Sequence, residues 1–142
     1  MKFNIPMNNS RKISIHDNSL LGYEVDMAKR KISLRTEFID KSASETADVI
    51  FNDVIAYQFV NDSFGTILYE IEEVDSNQIA KENWMAFEDG WKSSGWPGEW
   101  TTSLEKASVY LSQNSIKGFY IRSSIGMSGW ILAKSIDFQS SK

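Results

Sequence analysis

Cysteine is absent from this chain, which removes disulfides, thiolate nucleophiles and thiolate metal ligands together. A single histidine, His16, cannot form a zinc site without cysteine partners, and the carboxylates lack the spacing of a calcium loop. No apolar run approaches the roughly 20 residues that a membrane-spanning helix needs. The first residues, Met1-Lys2-Phe3-Asn4-Ile5-Pro6, lack the apolar core of a secretory signal, so the expected address is cytoplasmic. Clustered lysine and arginine are also missing, and the net charge is −4, which argues against a nucleic-acid ligand. Arg11-Lys12 and Lys29-Arg30-Lys31 are short basic spots suited to turns and strand ends.

Tryptophan, by contrast, is concentrated. Trp84, Trp91, Trp96 and Trp100, four of the five in the chain, lie with Phe87 on one stretch broken by Gly90, Gly95, Pro97 and Gly98. Trp84, Phe87 and Trp91 fall on one helix face and are expected to pack on a sheet. Trp96 and Trp100 flank Pro97-Gly98 in an expected loop, where indoles are harder to bury and often anchor partners. The segment is therefore either a plug over the core or an exposed platform. Residues 70–89 add a run of carboxylates (Glu70, Glu72, Glu73, Asp75, Glu82, Glu88, Asp89) against Lys81 alone. Such a run is commonly a solvated face, and its sharper reading is a surface that steers a basic partner.

The chain length suits a single domain over residues 1–142, with a loose arm at 1–10 and a mobile tail at 139–142. Leu21, Tyr23, Val25 and Met27, then Ile32 and Leu34, keep a period of two and predict a hairpin through Ala28-Lys29-Arg30. His16-Asp17-Asn18-Ser19 reads as a turn, and residues 41–46 as a polar linker. Val49, Phe51, Ile55, Tyr57 and Phe59 share a parity that Asp53 violates. Burying a lone carboxylate is costly, so either a break or bulge at Asn52-Asp53 or an edge location there is expected. Asn61-Asp62-Ser63-Phe64-Gly65 is a turn, and Ile67, Tyr69 and Ile71 form a fifth strand in an antiparallel meander. One helix should start at Asp75, cap-like with Gln78, and end at Gly90 or Gly95. A second should follow a Thr102–Glu105 capping pattern and close near Asn114. Gly118 to Arg122 and then Trp130 to Phe138 make the last two strands, the final one with burial on both faces. The expected fold is α+β, dominated by an antiparallel sheet (curled sheet, half-barrel or sandwich), with two short helices inserted before the last two strands.

Catalytic constellations are weak. His16 and Asp17 are neighbours whose side chains point to opposite faces of a strand, and no Gly-x-Ser-x-Gly elbow supplies a nucleophile. Gly126-Met127-Ser128-Gly129 lacks the lysine of a phosphate loop. Glu70 and Glu72 share a strand face and could in principle serve glycoside chemistry, although solvent-facing glutamates are routine. No catalytic residue, metal or cofactor is assigned.

Two strings carry a family likeness. Ile15-His16-Asp17-Asn18-Ser19-Leu20 with Gly22-Tyr23-Glu24-Val25-Asp26, and later Val49-Ile50-Phe51-Asn52-Asp53-Val54, resemble small β-rich bacterial proteins of uncharacterised or polymorphic-toxin immunity type. Tyr120-Ile121-Arg122-Ser123-Ser124-Ile125-Gly126 through Ala133-Lys134 is similar in style. The resemblance implies a β-rich fold and an immunity role, and it supplies no catalytic residue. The leading expectation is a non-enzymatic protein-binding domain that neutralises a cognate basic toxin domain by blocking its active surface. Trp96 and Trp100 would anchor the complex, while Glu72, Glu73, Asp75, Glu82, Glu88 and Asp89 would steer it, giving salt-sensitive association. The alternative is a small-ligand or carbohydrate-binding module using a tryptophan platform.

Overall fold

A computed structural model of the chain describes residues 3–4, 11–39 and 44–141. Most of the loose arm expected at residues 1–10, and residue 142 of the tail, lie outside the described residues. The strands are β1 (Phe3–Asn4), β2 (Arg11–Asp26), β3 (Lys31–Ile39), β4 (Ser44–Asn52), β5 (Ala56–Val60), β6 (Ile67–Asp75), β7 (Lys117–Ile125), β8 (Ser128–Ala133) and β9 (Ser135–Ser141). Between β6 and β7 lie helices α1 (Ser76–Glu82), α2 (Trp84–Ser94) and α3 (Leu104–Gln113), with a 3-10 turn at Glu99–Thr101. The sheet is antiparallel and runs β5-β8-β7-β6-β2-β3-β4-β9, with β1 paired to β2. The sheet-dominated α+β class read from the sequence is the observed one.

The period-two segments form strands because alternate side chains reach a common interior. Ile32 and Leu34 of β3, Val49 and Phe51 of β4, Leu68 and Ile71 of β6, Phe119 and Ile121 of β7, and Ile131 of β8 make the first cluster. Each such side chain, fully buried, is worth roughly 1.5–3 kcal/mol. A polar trio is closed inside the wall. Thr36 Oγ1 donates to the Ala47 carbonyl at 2.9 Å and accepts from Asn18 Nδ2 at 3.1 Å.

The sheet curls at one bent ribbon. β4 passes into β5 through residues 53–55, and β8 into β9 through Lys134. The register moves from Asn52 opposite Ser135 to Ala56 opposite Leu132, so three residues face two. That is a bulge, with Asp53 at φ 54°. Backbone bonds continue across it, from Lys134 N to Asn52 O at 3.1 Å and from Ile55 N to Leu132 O at 2.9 Å. The ribbon thus ties β4 beside β3 to β8 beside β7 and wraps the sheet around the first cluster. The ladder stays open, ending at β5 and β9.

The helices cover the outer face of β5, β8 and β7 and enclose a second cluster, which includes Ile79, Phe87, Trp100, Leu111, Trp130 and Leu132. β8 is buried on both sides: Trp130 and Leu132 face the helices, Ile131 and Ala133 the first cluster.

Local chemistry corrects several expectations. His16-Asp17-Asn18-Ser19 is no turn. It lies within β2, where pairing to β6 shifts between Ser14 and Asn18 and Asp17 takes φ 58°. The expected single helix is two, because the Asn83 side-chain amide donates to the Ile79 carbonyl at 2.8 Å and closes α1. Asp75 does cap α1, bonding Asn77 N, and Gly95, at φ 73°, ends α2. Ser103, not Thr102, caps α3. Three helices and the 3-10 turn therefore precede three strands, since the expected final strand divides at Lys134. β4 already begins inside the supposed linker, and residues 139–141 of the supposed tail pair with residues 46–48.

Candidate functional site

The acidic run does not form one surface. Glu70 and Glu72 do share a face, but they clamp Arg122 across the β6–β7 ladder. Arg122 Nη2 donates to Glu72 Oε1 at 2.7 Å and Nε lies 3.3 Å from Glu70 Oε2, with both carboxylates 13% exposed. Burial alone would pull the Arg122 guanidinium down, but the bond to Glu72 and the charges of both glutamates outweigh it and hold its pKa above the ordinary value. The guanidinium also lies 5.0 Å over the Tyr120 ring. Tyr120 donates its hydroxyl to Glu82, and burial followed by that bond pushes the phenol up. Asp75 is occupied as a cap, and Glu73 stands opposite Arg11 and Phe119 in the ladder. Glu88 and Asp89 alone among the proposed acidic contacts project from α2 as plainly exposed groups without such a role.

The two loop tryptophans part company. Trp100 is 7% exposed and stacks on Tyr110 with centroids 5.6 Å apart, so it is a plug and does not present an anchor. Trp96 is half-buried. Its ring meets Phe87 edge-on at 5.5 Å and lies 6.2 Å from Trp130. It sits so close to α2 that a Cβ at Gly90 would fall 2.5 Å from its Cε3, which only glycine permits. Phe87 is fully buried and Trp84 half-buried against the second cluster, as expected of that helix face, whereas Trp91, expected there too, is half-buried and belongs to neither cluster.

A seam runs along the open margin of the sheet. β6 pairs with β2 as far as Ser19, Leu20 N bonds the Thr66 carbonyl, and, among the described residues, positions 21–26 of β2 have β3 on one side alone. Among the described residues, β5 likewise pairs only with β8. These two margins approach through side chains: Tyr23 meets Phe59 edge-on at 5.3 Å and donates its hydroxyl to Asp62. A cleft opens at each end of this contact. One, of about 500 Å³, lies between the β2–β3 turn, the bend at residues 54–57 and Trp96-Pro97. The other, of about 840 Å³, lies between residues 20–23 and the turn at 62–65.

The second cleft belongs to an apolar apex that sequence reasoning missed. Phe64 is fully exposed at the tip of the β5–β6 turn, and Leu21, Tyr23, Val60 and Ile125 are exposed nearby. The apex is stiff. Buried Thr66 donates to the Ser63 carbonyl at 2.8 Å and accepts from Met127 N at 3.0 Å, stapling the β5–β6 turn to the β7–β8 turn. Its carbonyl accepts from Leu20 N at 3.0 Å. Gly126, at φ 91°, has no room for a side chain, because a Cβ would lie 2.2 Å from Thr66 Oγ1. The signal was present in the sequence: a phenylalanine inside the turn-forming string Asn61 to Gly65 has no core to serve. Chemically the apex offers rigid apolar area, the currency of protein contacts.

Among the described residues, no group of three or more histidine or carboxylate side chains gathers at metal-binding distance, and no helix is long and apolar enough to cross a membrane. Fold and site together define a sheet-dominated α+β protein with an open seam and an apolar tip. No protein-family model matches the chain, and no curated protein matches it in sequence. Among solved structures it is similar to an uncharacterised protein from Neisseria gonorrhoeae, with TM-score 0.50 and 11% identity over 92% of this chain and 96% of that one. That likeness is one of fold.

Proposed function

We propose that this chain is a non-enzymatic protein-binding domain of the immunity type, neutralising a cognate toxin by occupying its active surface. The observation that carries the reading is the apex. Phe64 projects wholly into solvent from two turns fixed to each other by Thr66. Exposing a large ring costs free energy in the isolated molecule and is recovered when a partner covers it. A prefixed loop loses little entropy on docking. The net charge of −4, with Glu88 and Asp89 unencumbered on α2, supports encounter with a basic partner. Blocking by occupancy asks for no reacting group. A platform of two tryptophans, the second reading, loses one ring to the core at Trp100 and is left with the cleft that Trp96 lines.

The test is binding to the purified product of a toxin-like reading frame adjacent to this gene. A complex is expected whose association slows as ionic strength rises, and whose Kd increases more than about tenfold in Phe64→Ala. A neighbouring product that does not bind, or that binds Phe64→Ala as tightly as the parent, would overturn the proposal.

A further inference from the structure

The cleft beside Trp96 has the features of a small-molecule site, and these are independent of the apex. Its volume of about 500 Å³ falls within the range of pockets for small ligands, roughly 300–1,000 Å³. Its walls are mainly apolar, built from Val25, Ile32, Ile55, Tyr57, Trp96 and Pro97. The walls are also fixed in advance. Trp96 is held against Gly90 and Trp130, and its backbone N donates to the Gly90 carbonyl at 3.2 Å. Val54 N donates to the Arg30 carbonyl at 2.9 Å, tying the β2–β3 turn to the bend after β4. This cleft and the one at the apex share no lining residue, so it is a separate pocket.

The ionic groups decide the ligand class. Three charged residues line the cleft: Asp26, Arg30 and Lys31. Asp26 Oδ1 is taken up by the Lys29 backbone N–H at 3.0 Å. Arg30 and Lys31 are exposed and form no ion pair among the described residues. Arg30 and Lys31 against the single carboxylate of Asp26 leave the lining with net positive charge beside an apolar hollow, a local exception on a chain that is acidic overall. We infer that the cleft binds a small organic anion with an apolar body, its ring or chain against Trp96 and Tyr57 and its carboxylate at Arg30 and Lys31. A preformed wall avoids the ordering cost that flexible sites incur, and charge-assisted bonds at the rim select the anion over its neutral analogue.

Naphthalene-2-carboxylate and decanoate serve as the probes, paired with 2-naphthalenemethanol and decanol. Calorimetry gives affinity, and the Trp96 indole N–H resonance, identified by its loss in Trp96→Phe, gives location. At least one carboxylate is expected to bind in the micromolar range and shift that resonance, with its alcohol weaker by about tenfold. The double variant Arg30→Gln/Lys31→Gln, altered only at exposed positions, should retain the fold and lose that discrimination. The inference fails if neither carboxylate moves the Trp96 resonance, if the alcohols bind equally well, or if the double variant still prefers the anion. None of these failures touches the Phe64 experiment, which reads a different surface.

Discussion

Tyr120 illustrates how a single residue can be placed correctly on a core strand while its polar partners stay hidden. Its position on a strand of the core was legible from the apolar string around it, and the shared face of Glu70 and Glu72 followed from a period of two. That these glutamates would close on Arg122, and that Tyr120 would bond Glu82, depended on the β6–β7 register and on how α1 lies over it, neither of which a linear string encodes. The arrangement has a titration consequence. The Tyr120 phenol, ordinarily near 10.0, is pushed up by burial first and by the bond to Glu82 second. Below that pH folded and unfolded chains both hold the proton, and the contribution is fully present. Above it the unfolded chain releases the proton while the folded one keeps it, so stability falls as the pH rises. Urea midpoints of the parent should therefore decline on the alkaline side of pH 10, and Tyr120→Phe should decline less steeply. Equal slopes would mean that the phenol is not buried with its partner as described.

Among the elements, the bend between β4 and β5 was foreseeable because Asp53 sits on an apolar parity where a carboxylate cannot stay. Other breaks were hidden for physical reasons. The string His16 to Ser19 has turn chemistry, but a bulge also uses Asp and Asn at positive φ, so residue type alone does not separate the two. The apolar spacing Ala80, Trp84, Phe87, Trp91 runs straight through Asn83, and only a side-chain bond to the preceding turn reveals the interruption. At the bend itself, φ 54° is a conformation glycine adopts freely, aspartate tolerates and a β-branched residue resists. Asp53→Gly should accordingly be neutral or stabilising by up to about 1 kcal/mol, and Asp53→Val destabilising by about 1–2 kcal/mol. Chemical denaturation of the two variants checks this, and the opposite order would place the bend elsewhere.

For the whole molecule, the class of fold was written in the alternation and the helical interlude, whereas strand order was not. β5 leaves the β2-β3-β4 meander to join β8 because the bulge redirects it, and β6 returns to β2, choices made by contacts distant in sequence. The resulting architecture makes the two apolar clusters interdependent. Ala56, Trp130 and Leu132 belong to the helix-covered cluster, while Tyr57, Ile131 and Ala133, their immediate neighbours on β5 and β8, face the other. Neither layer can come apart without exposing the reverse side of the same two strands. Tryptophan emission reports the helix-covered cluster, since Trp84, Trp96, Trp100 and Trp130 all lie in or against it, whereas far-ultraviolet circular dichroism reports mainly the sheet. The two signals should consequently trace one coincident unfolding transition. Ile131→Ala, which hollows only the first cluster, should lower both midpoints together by the equivalent of about 2–5 kcal/mol. Were the emission midpoint to hold while the dichroism midpoint fell, the helices would be packed on something other than the outer side of β8, and the Trp96 cleft would lose the wall on which its ligand class was argued.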